Sequence, residues 1–200
     1  YKTFVEDCTG RDLRFNQTVR GADYTRKDAS GAYVATPANF QGHSLTGYQF
    51  TKWVMDDVAY DDGENNDNDQ PLMRYAEVLL NYAEAQAELG KLTDAEWAET
   101  IGALRARAGI TGGTAQTGTL TTKPTSAEPY IAAYYPGVSN PVVLEVRRER
   151  EIELALEGLR LNDLKRWNAC DLWVNDPWQG VLIPALNAPL DMNGDGTYDA

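Results

Sequence analysis

RYAEVLLNYAEAQAELGK, residues 74 to 91, carries the periodicity that decides the fold. Met73, just upstream, recurs with Ala76, Leu80, Ala83 and Ala87 along one helical face, and Tyr75, Leu79, Tyr82, Gln86 and Leu89 make a second. Two apolar faces predict a helix from Pro71 to Glu88 that is packed on two sides. The narrow edge between them carries Glu77, Asn81, Glu84 and Glu88, a file of carboxylates in a segment otherwise rich in alanine, leucine and tyrosine. Gly90 is placed to end the helix in the left-handed conformation open to glycine. Thr93 with Glu96 has the spacing of a capping box and starts a second helix, Asp94 to Ala108, stopped by Gly109. Trp97, Ile101 and Leu104 fall on its inner side. The alanines let the two helices approach closely, as in hairpins of the tetratricopeptide type, with one hairpin present and no full repeat array.

Outward from the hairpin, the texture changes on both sides. Residues 1 to 70 are loop-rich, with one short strand expected near TGYQFTKWVM, and they end in the solvated run DDGENNDNDQ. Residues 111 to 139 form a Thr/Gly/Pro-rich insertion too long for a simple connector. Asn140 and Pro141 then read as an N-cap and first-turn proline of a helix running to Glu157, where Gly158 stops it. LRLNDLKRW adds a short helix. The expected organisation is a loop-rich, ligand-facing region (1–70), a helical region (71–170) and an irregular C-terminal segment (171–200), all parts of one larger domain. The fold class is mainly α, with tetratricopeptide-like hairpins and long irregular loops.

Composition narrows the function. The chain has 200 residues, 42% hydrophobic and 24% charged, enough for a sizeable core, and its net charge of −12 lacks the basic patch that nucleic acid or an anionic membrane requires. Cys8 and Cys170 are too few for a disulfide framework, and two unpaired buried thiols are expected. No apolar run approaches the ~20 residues of a membrane span. The opening YKTFVEDCTGRDLRF reads as mid-domain sequence without a signal peptide, so the chain is expected to be a fragment whose targeting signal lies upstream. His43 is the one histidine, which excludes a multi-histidine zinc site and an HExxH protease. No nucleophile elbow, Walker loop or dinucleotide fingerprint occurs.

RYAEVLLNYAEAQAELG, then ALRARAGI, then REREIELALEGLRLNDLKRW, in this order, resemble the C-terminal part of the SusD/RagB family of outer-membrane nutrient-binding lipoproteins. GRDLRF and TGYQFTKW upstream look like further family segments. The resemblance implies a helical, tetratricopeptide-containing, non-catalytic protein, held by lipid at the Gram-negative cell surface. It also implies a SusC-like TonB-dependent transporter as partner and a glycan as ligand, with no cofactor required. The family's lipid-anchored N-terminal half has no counterpart in these residues. Two rival readings are a protein-docking helical scaffold without its own ligand site and, less favoured, a glycoside hydrolase using two of the carboxylates.

The carboxylate file on the first helix faces the same choice. Acid–base work needs two carboxyl groups split by environment, and a stripe of like residues does not suggest a split. Guanidinium groups are available instead on the later helices, at Arg147, Arg148, Arg150, Arg160 and Arg166. A structural charge network of Arg74, Glu77, Glu84, Arg147, Arg150 and Arg160 that fixes helix register is the preferred reading. DMNGDGTYD places Asp191, Asn193, Asp195, Thr197 and Asp199 at calcium-loop positions, and the same letters also make polar turns without an ion. For a glycan, aromatic faces among polar groups are wanted. Tyr33 and Trp53 with Asn39 and Gln41 are the first candidate patch, and Tyr134 with Tyr135 the second. Trp97 and Trp167, at helical core spacing, are expected to be structural.

Overall fold

The structure, a computed structural model, describes residues 3–36, 38, 44, 46–65, 68–175, 180–183, 185–192 and 194–198. The chain folds as two compact units, residues 1–70 with 178–200 and residues 71–177. It is predominantly α-helical, as the sequence predicts.

In the first unit, short elements are held by side chains that cap their own backbone. Helix α1 (Phe4–Cys8) starts with a capping box between Thr3 and Glu6, and α2 (Leu13–Asn16) with Asp12 accepting the Arg14 N–H. Strand β1 (Thr25–Lys27) pairs antiparallel with β2 (Tyr33–Ala35), Arg26 opposite Val34. The Asp28 carboxylate closes their turn by accepting the N–H groups of Ser30 and Ala32. The core is small: Phe4, Ala38, Val181 and Met192, with Tyr48 and Leu190 against it. The strand expected near TGYQFTKWVM is not formed. Gly47 (φ 80°) and Trp53 (φ 72°) take left-handed conformations that interrupt an extended run, leaving Phe50 in a single bridge to Val19.

The second unit is built on the predicted hairpin. Helix α3 (Tyr75–Glu88) ends in a Schellman motif, with the N–H of Gly90 (φ 66°) on the Ala87 carbonyl and that of Lys91 on Gln86. Thr93 and Glu96 form the expected capping box at α4 (Asp94–Trp97), which continues through a π-helical turn (Ala98–Gly102) into α5 (Ala103–Arg107). A second Schellman motif at Gly109 closes that rod. Ala76, Leu80, Ala83 and Ala87 of α3 pack with Trp97, Ile101 and Leu104 of the rod. Helices α6 (Pro129–Tyr134), α7 (Pro141–Glu153), α8 (Arg160–Arg166) and α9 (Asp171–Asn175) complete the unit, with Val143 and Val146 of α7 in the same core.

Three expectations for this unit are corrected. The second face of α3 is only partly a packing face: Leu79 packs against the core, whereas Tyr75 is 73% exposed, and Tyr82 and Leu89 are exposed as well. Helix α7 stops at Glu153 rather than Glu157, because the Arg74 guanidinium occupies the Glu153 carbonyl that a further turn would need, while the Glu157 N–H bonds Leu154. The 111–139 insertion, read as one long loop, contains α6 and is pinned to the rod. The Trp97 indole N–H bonds the Thr119 carbonyl at 2.9 Å, and a Cβ on Gly102 would lie 2.0 Å from the Leu120 carbonyl oxygen, so the insertion's backbone lies directly on the rod. Both cysteines are free, but Cys170 is exposed; Cys8 is half-buried, and burial with the nearby Asp7 pushes its thiol up to about 11.

Ion pairs engage five of the six residues expected in a charge network, and others besides. Glu84 accepts both Nη groups of Arg166 and the Trp167 indole N–H at 2.6 Å. Arg150 bonds Asp163 and Asn81, each at 2.7 Å, and Arg74 bonds Glu153 and Glu157. Arg147 reaches Glu88 at 3.0 Å and Arg160 reaches Glu151. Glu77 makes no ion pair among the described residues. The most deeply buried cluster has Arg105 of α5 between Glu145 and Glu149 of α7, one helical turn apart. Removing one member of such a cluster strands buried charge, whereas an exposed pair contributes little. Arg105→Met is therefore expected to cost about 3 to 5 kcal/mol in urea unfolding, and Arg11→Met, which breaks an exposed pair with Asp7, under about 1 kcal/mol. Equal losses would show that the buried cluster has no special structural weight.

Candidate functional site

An open concavity of about 690 Å³ lies in the second unit, between the end of α6, the middle of α7, the end of α8 and α9. Local sequence explains why each wall stands there. Glu128 caps α6 and Pro129 fixes its first turn, so the helix ends at Tyr134 and delivers Tyr134 and Tyr135 to the rim. Asn140 caps α7 and presents Arg147 two turns on. Helix α8 ends at Asn168 (φ 53°), an asparagine in the left-handed C′ position of a Schellman motif, which places Trp167 and Asn168 side by side in the wall. Asp171 and Asn175 contribute from α9.

The aromatic groups are held firmly. Tyr135 is 3% exposed, and its hydroxyl bonds Glu151 and accepts from Arg160 Nη1 at 3.2 Å. Burial and the adjacent Glu151 carboxylate push its ionisation well above the usual tyrosine range, so the ring stays neutral. Trp167 meets it edge to face, with centroids 5.8 Å apart. The Arg147 guanidinium sits over both rings, 5.2 Å from Tyr135 and 4.8 Å from Trp167. Tyr134 is partly exposed and pairs with the exposed Tyr130, their centroids 5.0 Å apart. Among the described lining residues Asp171 is the one carboxylate. The described wall therefore combines aromatic rings, amide groups and one carboxylate, and the Trp167 ring also has the Arg166 guanidinium 4.8 Å from its centroid.

The predicted residues distribute as follows. Tyr134 and Tyr135 both line the concavity, Tyr134 partly exposed and Tyr135 buried with its hydroxyl held by Glu151. Trp167, expected to be structural only, is half-buried and lines the wall while its indole N–H holds Glu84. Tyr33 and Trp53 belong to the first unit. Tyr33 is 66% exposed, with Lys27 Nζ 5.7 Å from its ring. Trp53 is half-buried, with its carbonyl bonded by Asn68 Nδ2 at 2.7 Å and Lys52 Nζ 5.9 Å from its ring. Asn39 and Gln41 lie outside the described residues. In the 191–199 loop, Asp191 accepts the N–H groups of Gly194 at 2.6 Å and Gly196 at 2.9 Å, and Asp195 that of Thr197 at 2.8 Å. Asn193 and Asp199 lie outside the described residues. The sequence reading missed Arg147, Asn168 and Asp171 as wall residues. The signal for Asn168 was an asparagine directly after a helix end; Arg147 gave none, being one arginine among several.

No helix among the described residues is long and apolar enough to cross a membrane. No curated protein and no solved structure matches the chain. The SusD family matches residues 1–195 of the 200. With that match spanning nearly the whole sequence, and with the helical hairpin and arginine-rich α7 in place, the chain belongs to the SusD family.

Proposed function

We propose that this protein binds a saccharide at the bacterial cell surface without transforming it and hands it to a SusC-like TonB-dependent transporter in the outer membrane. Membership of the SusD family supports a nutrient-binding, outer-membrane, generally non-catalytic protein. The observation that carries the saccharide reading is the concavity, which Tyr134 and Trp167 line beside Asn168, Asp171 and Asn175. Pyranose rings present an apolar face to an aromatic and hydroxyls to amides and carboxylates. Tyr33 and Trp53 are proposed as a second stacking surface on the first unit.

The scaffold reading is favoured by one observation. Leu72, Tyr75, Val78, Tyr82 and Leu89 are all exposed, four of them along α3 and its C-cap, which is an apolar face that a partner helix would cover. Calorimetry with a panel of oligosaccharides separates the readings. The expected outcome is binding without turnover, weakened about tenfold by Tyr134→Ala, roughly 1.4 kcal/mol, with Tyr33→Ala and Trp53→Ala weakening any ligand held on the first unit. Trp97→Ala, by contrast, is expected to lower stability by about 3 to 5 kcal/mol through its core cavity. Absence of binding across the panel would leave the scaffold, and turnover would mark a hydrolase.

A calcium ion in the 191–199 loop is also proposed. Asp191 already draws the Gly194 and Gly196 amides around its carboxylate, which curls the loop about the first ligand position. Calcium at about 100 times its Kd is then expected to stabilise the protein by about 2.7 kcal/mol, reversed by a chelator. A melting curve indifferent to both would assign Asp191 to turn capping alone.

A further inference from the structure

Arg147 is the anomaly of the concavity. It is 6% exposed and lines the wall, yet its Nε and Nη1 are buried with no hydrogen-bond partner among the described residues. Its other nitrogen, Nη2, bonds Glu88 at 3.0 Å, and that carboxylate is half exposed to solvent. The neighbouring cations are differently placed. Arg166 is held by Glu84 and Asp163, and Arg160 by Glu151. Arg105, just as buried, has Glu145, Glu149 and the Thr117 carbonyl. Buried guanidinium groups in this unit are otherwise well supplied with acceptors, and Arg147 is supplied on one nitrogen of three.

Buried donors without acceptors are costly, and a donor that carries charge is matched best by an anionic oxygen. The rings of Tyr135 and Trp167 stabilise the cation electrostatically but accept no conventional hydrogen bond, so they leave the N–H groups unsatisfied. We infer that the concavity takes a saccharide bearing a carboxylate, a uronic acid residue, whose acid group binds at Arg147 while the sugar ring lies along Tyr134 and Trp167. The inference rests on the saccharide reading above and narrows it to acidic ligands. Asp171 repels a second negative charge, which confines the carboxylate to the Arg147 wall and leaves Asp171 to accept sugar hydroxyls. The net charge of −12 opposes acidic ligands at long range, so the preference comes from the local contact and not from general attraction.

The test uses matched pairs on the unmodified protein: oligogalacturonate, oligomannuronate and oligoglucuronate, each beside its carboxyl-reduced neutral counterpart, titrated calorimetrically. At least one acidic member is expected to bind tenfold or more tightly than its reduced form. Arg147→Lys keeps the charge but presents one compact ammonium in place of the planar fork, and is expected to reduce that preference to threefold or less at unchanged melting temperature. Glu88→Gln serves where Arg147→Lys fails to fold, and is expected to raise affinity for the acidic member by freeing the guanidinium. Equal binding of acidic and reduced forms overturns the inference and leaves the saccharide reading standing. A preference that survives Arg147→Lys overturns it too, by moving the acid group elsewhere. If no pair binds while neutral glycans of the wider panel do, the inference alone fails; if nothing binds in either experiment, the saccharide reading fails with it.

Discussion

Helix α7 is a charged helix inside a protein, and the second unit depends on keeping those charges paired. Glu145, Arg147, Glu149, Arg150 and Glu153 are all buried along it. An unpaired ion in such a place would cost several kcal/mol, so α7 is tenable only where Arg105, Arg74 and Asp163 arrive from the other elements at bonding distance. The apolar side chains of Val143 and Val146 fill space in the same interface and tolerate small sliding. Guanidinium–carboxylate contacts do not, since a shift of one turn leaves each group facing the wrong partner. Apolar packing therefore supplies most of the cohesion, and the ions supply the register.

The two units solve the problem of irregular chain differently. The first has a small core and few regular elements, and its backbone is satisfied by Thr3, Asp12, Asp28, Asp57 and Asp191 acting on nearby N–H groups. This is the physical meaning of its Asp-, Asn- and Gly-rich composition. The second unit satisfies its long insertion by contact at a distance, through Trp97, Arg105 and Lys123 bonding to backbone carbonyls of other segments. An indole and a guanidinium buried for their bulk thus also serve as donors to a loop.

Features set by near neighbours in sequence were readable, and those set by distant ones were not. The hairpin at Gly90 and Thr93 follows from glycine and capping chemistry within a few residues, and it stands as expected. The inner face of α3 was equally readable from Ala76 to Ala87, but Met73 is 65% exposed before a helix that starts at Tyr75 and not at Pro71, and the prediction that its second face is covered assumed that every apolar stripe finds a partner. The end of α7 was misplaced because the residue that ends it, Arg74, lies 79 positions upstream of Glu153. Likewise Arg105 pairs with carboxylates 40 and 44 positions away, which no local pattern announces. Of the candidate wall, Tyr134 and Tyr135 were singled out as an aromatic pair in the long insertion. Trp167 was assigned a structural role from its helical spacing, which does not announce the guanidinium groups of Arg147 and Arg166 that gather at its ring from α7 and α8.

The small side chains of α3 have a consequence for how this interface changes over evolutionary time. Ala83 and Glu84 are adjacent and both buried, the first against the apolar core and the second against Arg166 and Trp167. A larger residue at Ala83 would push the helix axis outward by a fraction of an ångström, and the charge-assisted bonds of Glu84 are sensitive to displacements of that size. Replacements at these two positions are thus epistatic: each alters the cost of the other, and the same holds for Asn81 and Leu80 one turn earlier. Single replacements here are therefore expected to cost more than the same replacements made in compensating pairs.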